Sequence, residues 1–140
     1  MHLDEYRKGQ ILCQTEKAEI DAAIIGCPLL TTLELLQIEK LLGGRELKKP
    51  LWLYCDYVVA DAARRLGIID KIEATGAKVV HSCCPGTIQR DPIIENDVFV
   101  TDSLKAIKLC SGIGWQKWFF GQRKDVVEAA VGGKFRCPRW

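Results

Sequence analysis

The sequence predicts a three-layer α/β domain, with a mostly parallel sheet of four to five strands and helices on both faces. Three observations lead there. Short apolar runs alternate with segments of helical pattern, as parallel strands joined by crossover helices require. The connections between them are mostly short. Cysteines also follow three of the runs at equal intervals, Cys27 to Cys55 and Cys55 to Cys83, 28 residues each by subtraction. That spacing is about the length of one strand–helix unit.

The elements follow in order. Residues 1–17 are polar with scattered apolar positions and read as an N-terminal arm or helix. Ile20–Gly26 reads as a buried strand. Leu33, Leu36, Ile38, Leu41 and Leu42 give a helical face, opened by a Thr31/Glu34 capping box and closed by Gly43-Gly44. Leu51–Tyr54 is a second strand, and Asp56 can cap a helix over Tyr57–Leu66 that stops at Gly67. A short helix over Ile69–Thr75 stops at Gly76, and Lys78–Val80 is a third strand. The segment CCPGTIQRDP (83–92) is loop-like. Val98–Val100 is a fourth strand, and Ser103 caps a helix to about Cys110. SGIGWQKWFFG is a Gly-flanked aromatic stretch, either a strand or an exposed docking edge; Asp125–Val131 is helical, and the tail KFRCPRW is irregular.

Composition narrows the function classes. The chain has 140 residues, 48% apolar and 27% charged, with a net charge of +2, the profile of one soluble globular domain. Acids and bases are mixed, with no basic stripe interleaved with aromatics, so nucleic acid is a poor partner. The longest apolar stretch, Ala22–Leu30, is too short to span a bilayer, and MHLDEYRKGQ lacks a signal-peptide core. The expected location is the cytoplasm. Seven cysteines, an odd number without a leader, favour metal binding, catalysis or burial over a disulfide framework. No CxxC occurs, so a local tetrahedral zinc site is not supported.

If each run is a parallel strand, the strand ends GCP (Gly26–Pro28), CD (Cys55–Asp56), SCCP (Ser82–Pro85) and TDS (Thr101–Ser103) line one edge, where open α/β sheets bind ligands. Thiolates suit iron–sulfur clusters, copper(I) or zinc. Proline after Cys27 and Cys84 should end each strand and turn the chain at the thiol. The competing reading of any one cysteine is burial as a small apolar side chain, which we adopt for Cys13, Cys110 and Cys137. Thr101-Asp102-Ser103 is either a helix cap or an anion site to which Lys105 adds charge. His81 reads as structural or solvent-facing, and the Trp115, Trp118, Phe119, Phe120 group as core or a docking patch.

Several separated segments, in order, are similar to the large subunit of aconitase X. They are IDAAIIGCP with the Thr-Leu-Glu helix after it, PLWLYC followed by VADAARRLG, IEATGAKVVHSCCP, TDSLKA and DVVEAAVGGKF. Together they run from about Ile20 to Phe135. The family pattern runs GCPH, LWVTTS, G-x-x-x-x-[IL]-E-x-x-G, DTC and TNSxK. The resemblance implies that residues 1–140 form a single domain like the C-terminal domain of that subunit. It implies an iron–sulfur-dependent hydro-lyase (dehydratase) acting on a small hydroxy acid, its iron a Lewis acid for the leaving hydroxyl. The cluster type is left open among 2Fe-2S, 3Fe-4S and 4Fe-4S. Cys27 aligns with the cysteine of GCPH and Cys84 with that of DTC, as metal ligands. Ser103 aligns with the serine of TNS and Lys105 with its lysine, as catalytic or anion-binding residues.

The chain departs from the pattern at Leu29 for histidine, Asp102 for asparagine, Tyr54-Cys55-Asp56 for TTS, and Cys83 for threonine. The family's third cluster cysteine lies in an N-terminal part without a counterpart here. The resemblance therefore implies a partner chain supplying that part, with the small aconitase X subunit as a further partner. Cys55 or Cys83 is the candidate for a third sulfur within this chain. Two other readings stay open. One is a catalytically inactive metal-binding or regulatory module of the same fold. The other is a cluster-free thiol redox protein using Cys83-Cys84.

Overall fold

The computed structural model describes residues 18–85, 98–111 and 117–136. The expected arm, Cys13, Cys137, Trp115 and the loop from residue 86 to 92 lie outside the described residues, as does the Cys110 side chain. The elements are β1 (Ala18–Glu19), β2 (Ala22–Leu30), α1 (Thr32–Leu42), β3 (Leu51–Cys55), α2 (Tyr57–Arg65), α3 (Ile68–Glu73), β4 (Lys78–His81), β5 (Val98–Thr101), α4 (Leu104–Ser111), β6 (Lys117–Phe120), α5 (Arg123–Gly132) and β7 (Lys134–Phe135).

Five strands form one parallel sheet in the order β4-β3-β2-β5-β6. The expected fold class is the observed one. From β2 the chain steps outward through β3 to β4; from β5 it steps the other way to β6. Right-handed crossovers then place the crossover helices of the two halves, α1 to α3 and α4, on opposite faces. α1, α2 and α3 pack into one large core through Leu35, Ile38, Leu42, Ala63, Ile69 and Ile72, and α5, which follows the last strand of the sheet, joins that face through Val127. A smaller core of Ala22, Ile24, Tyr54, Phe99 and Trp118 lies apart, with Ile107 of α4 packed against it. No helix among the described residues is long and apolar enough to cross a membrane.

Local chemistry explains the helix bounds. Thr31 and Glu34 form the expected capping box on α1: the Glu34 N–H donates to Thr31 Oγ1 and the Thr31 N–H to Glu34 Oε1, both at 3.2 Å. Gly43 ends the helix with φ +57°. The buried face of α1 is Leu35, Ile38 and Leu42, while Leu33 is 64% exposed. The expected face therefore turns toward Leu35, because the stripe that meets α3 and α5 is one residue out of phase with Leu33.

Three local expectations change. β2 does not end at Cys27-Pro28, which is a cis peptide bond. Its ladder with β3 lapses after Ile25 and resumes at Leu30, opposite Cys55. Pro28, with no N–H to donate, sits inside that lapse and so removes no ladder hydrogen bond. The tail is not wholly irregular: β7 pairs antiparallel with β1, burying Phe135 against Phe119 at 5.7 Å between ring centroids. The aromatic stretch is an edge strand whose Trp118 and Phe119 are buried, so these two rings are core.

Candidate functional site

The C-terminal edge of the sheet gathers the four predicted strand ends. At its centre β2 and β5 are neighbours, yet their connections leave in opposite directions. That is the topological switch point, the place where doubly wound sheets open a crevice for ligands.

The β2 side of the crevice is a backbone contact that only glycine permits. Gly26 has φ +135°, and a Cβ there would lie 2.6 Å from Tyr54 Cβ and from the Tyr54 carbonyl oxygen. Cys27 follows, half-buried, then Leu29, which is 41% exposed. On the β5 side, Thr101 and Ser103 are buried. The Ser103 N–H donates to Thr101 Oγ1 at 3.2 Å, and the Ala106 N–H donates to Ser103 Oγ at 3.1 Å. Ser103 therefore caps α4, while Lys105, in its first turn, is exposed.

Arg123, the first residue of α5, spans the two sides. Its Nε donates to Asp102 Oδ2 at 3.0 Å, and its Nη1 lies 2.7 Å from Glu34 Oε2. The two carboxylates respond differently to the same guanidinium. Burial pushes the Glu34 carboxyl up, but hydrogen bonds from Arg123 and Thr31 outweigh it and hold it below its ordinary value. Asp102 is more deeply set, so burial dominates and its carboxyl is pushed up despite Arg123.

The β3–β4 side is different in character. Cys55 is fully buried within the large core, and burial, with the charge of Asp56 second, pushes its thiol up. Asp56 is the N-cap of α2, accepting from the Val58 N–H at 2.6 Å and the Val59 N–H at 3.4 Å. Ser82, just after β4, has φ +65° and its Oγ lies 3.0 Å from His81 Nδ1; the His81 ring meets Tyr57 edge-on. Leu29, Asp56, Tyr57, Val58, Ser82 and Cys83 line an open groove of about 450 Å³.

The groove thus brings Cys83 and Asp56 together with Leu29. Cys27, Cys84, Ser103 and Lys105 do not line it. Among the described residues, no three His, Cys, Asp or Glu side chains converge as a metal site. The donors of this edge therefore do not by themselves fit a complete cluster. Sequence reasoning missed Arg123 and the apolar lining of the groove. No local signal pointed to Arg123: a part-buried carboxylate calls for a cation, but the burial of Asp102 is itself set by the tertiary structure.

An open parallel sheet with a Cys-Pro interruption of β2 and a Thr-Asp-Ser cap on either side of its switch point defines a doubly wound α/β domain with its ligand edge at those segments. The chain belongs to the aconitase X family: the family model described as "Aconitase X third domain" matches residues 20–132. It is 32% identical over 82 residues to the "Phosphomevalonate dehydratase large subunit" of Methanocaldococcus jannaschii, covering 59% of this chain and 20% of that protein. To the protein of the same name from Methanosarcina mazei it is 28% identical over 127 residues, covering 88% and 30%. The chain thus spans no more than about a third of the length of these relatives. Its fold matches the holo-form crystal structure of Thermococcus kodakaraensis aconitase X with a TM-score of 0.71 at 24% identity, over 86% of this chain and 32% of that one.

Proposed function

We propose that this chain serves as one domain of an aconitase-X-type hydro-lyase, removing water from a small hydroxy acid together with a partner chain. The observation that carries this reading is the family match over a domain whose switch point bears Cys27 on one side and the Thr101–Ser103 turn on the other. The relatives' name makes a phosphorylated mevalonate the first substrate to test.

Within that reading, the α4 N-terminus and Lys105 receive the substrate's anionic group, since a helix N-terminus and an ammonium both favour negative charge. Ser103 orders that turn through its cap on Ala106. The iron–sulfur cluster belongs to the assembled enzyme rather than to this domain alone. Cys27 and Cys84 are the thiols this chain offers to it, and the partner chain brings the remaining sulfur. Cys83 faces the groove, whereas Cys55 is shut inside the core.

The test is anaerobic co-expression with the chain that carries the N-terminal part of the enzyme and with the small subunit. Iron and sulfide counts and phosphomevalonate dehydration are then measured. Dehydration by the assembly, lost together with iron in Cys27→Ser and Cys84→Ser, supports the reading. A fully loaded assembly without dehydration, or serine variants with unchanged iron and activity, overturns it.

A further inference from the structure

We infer that Arg123 is a positioning residue that locks together the two segments flanking the switch point, the α1 cap that directly follows β2 on one side and Thr101–Ser103 on the other. The contact stands on geometry alone; its meaning for catalysis rests on the hydro-lyase reading.

Glu34 divides its two oxygens. Oε1 accepts from the Thr31 N–H, completing the α1 cap, and Oε2 faces Arg123 Nη1. Asp102 sits between Thr101 and Ser103, whose own hydrogen bonds set the turn that opens α4. One guanidinium thus joins the cap after β2 to the turn after β5, from a helix that follows β6. The three side chains are only 30% (Arg123), 32% (Glu34) and 13% (Asp102) exposed, so solvent screens the contacts incompletely. The planar fork of arginine reaches two carboxylates at once, which a lysine ammonium does not reproduce.

The carboxylate of Asp102 therefore does not stand alone at the ligand edge. It is paired with Arg123. Asp102 and Arg123 are two halves of one brace.

Glu34→Gln isolates the coupling, because glutamine keeps the acceptor for the cap but removes the charge facing Arg123. Backbone amide exchange is followed by NMR on the full chain. In E34Q the amides of Ser103 and Ala106, which Glu34 does not touch, should exchange about tenfold faster, the loss of one charge-assisted contact. In an R123Q background E34Q should add nothing there, and R123K should not restore protection. Unchanged Ser103 and Ala106 exchange in E34Q overturns the proposal. So does an equal effect of E34Q with and without Arg123. If R123Q does not fold, the same comparison in R123K decides. Coupling in this chain with a cluster-loaded assembly that does not dehydrate phosphomevalonate would sink only the hydro-lyase reading; an active assembly without coupling would sink only the brace.

Discussion

The two ends of the ligand edge are built in opposite ways. Between β2 and β5 the turns are held by charge: Arg123 faces Asp102 and Glu34, and hydroxyls cap their own helix amides. Beyond β3 and β4 the surface is apolar and open, with Tyr57 64% and Val58 71% exposed beside Cys83. The first region pairs Arg123, Asp102, Glu34 and its hydroxyls internally and so fixes its own geometry, leaving Lys105 exposed. The second leaves large side chains in water, and these hold little of this domain together.

The contrast can be broken at its strongest point first. Gly26→Ala places a Cβ against Tyr54 in a backbone conformation that side chains avoid. It should cost about 3 kcal/mol or more, read from urea unfolding. A smaller loss would mean that β2 and β3 separate more easily than their packing indicates. Next, Asp56→Ala removes the α2 cap and should lower stability by about 1 kcal/mol, with Asp56→Asn restoring most of it.

Acidification sharpens the charged side. Glu34 has a depressed folded value, so its contribution is present above the ordinary carboxylate value and is lost as pH falls through the folded one. Asp102 is raised, so its proton is held more tightly in the folded state, and its contribution is present at low pH and lost as pH rises through the raised value. Urea midpoints against pH should therefore fall less steeply on the acid side in Glu34→Gln than in the parent, and Asp102→Asn should shift the profile the opposite way. Matching profiles for the two variants would refute the asymmetry. The smallest effect is expected at the apolar end: Val58→Ser should change stability by no more than about 0.5 kcal/mol in the same measurement.

Much of the fold was legible in the sequence. The capping box at Thr31 and Glu34, the caps at Asp56 and Ser103, and the apolar runs of β2, β3, β4 and β5 are local features, set by residues within one turn or one strand of each other. The equal cysteine spacing was legible too, and it follows the strand–helix period. Cys55, the last residue of β3, faces the core, whereas Cys83, two residues beyond β4, lines the groove. Side-chain direction alternates along a strand, so a period of whole units says where a residue sits along the sheet and not which face it meets.

Nothing local could reveal the Arg123 brace, which joins residues 89 apart (34 to 123) and 21 apart (102 to 123). The pairing of β7 with β1 and the continuation of β2 past Pro28 also depended on distant backbone. Periodicity and caps act over a few residues and are written in the chain itself. Ion pairs across a switch point, and the burial that moves Asp102 and Cys55, arise only when separate strand ends are brought to one edge, because both depend on distance and on how much water is excluded.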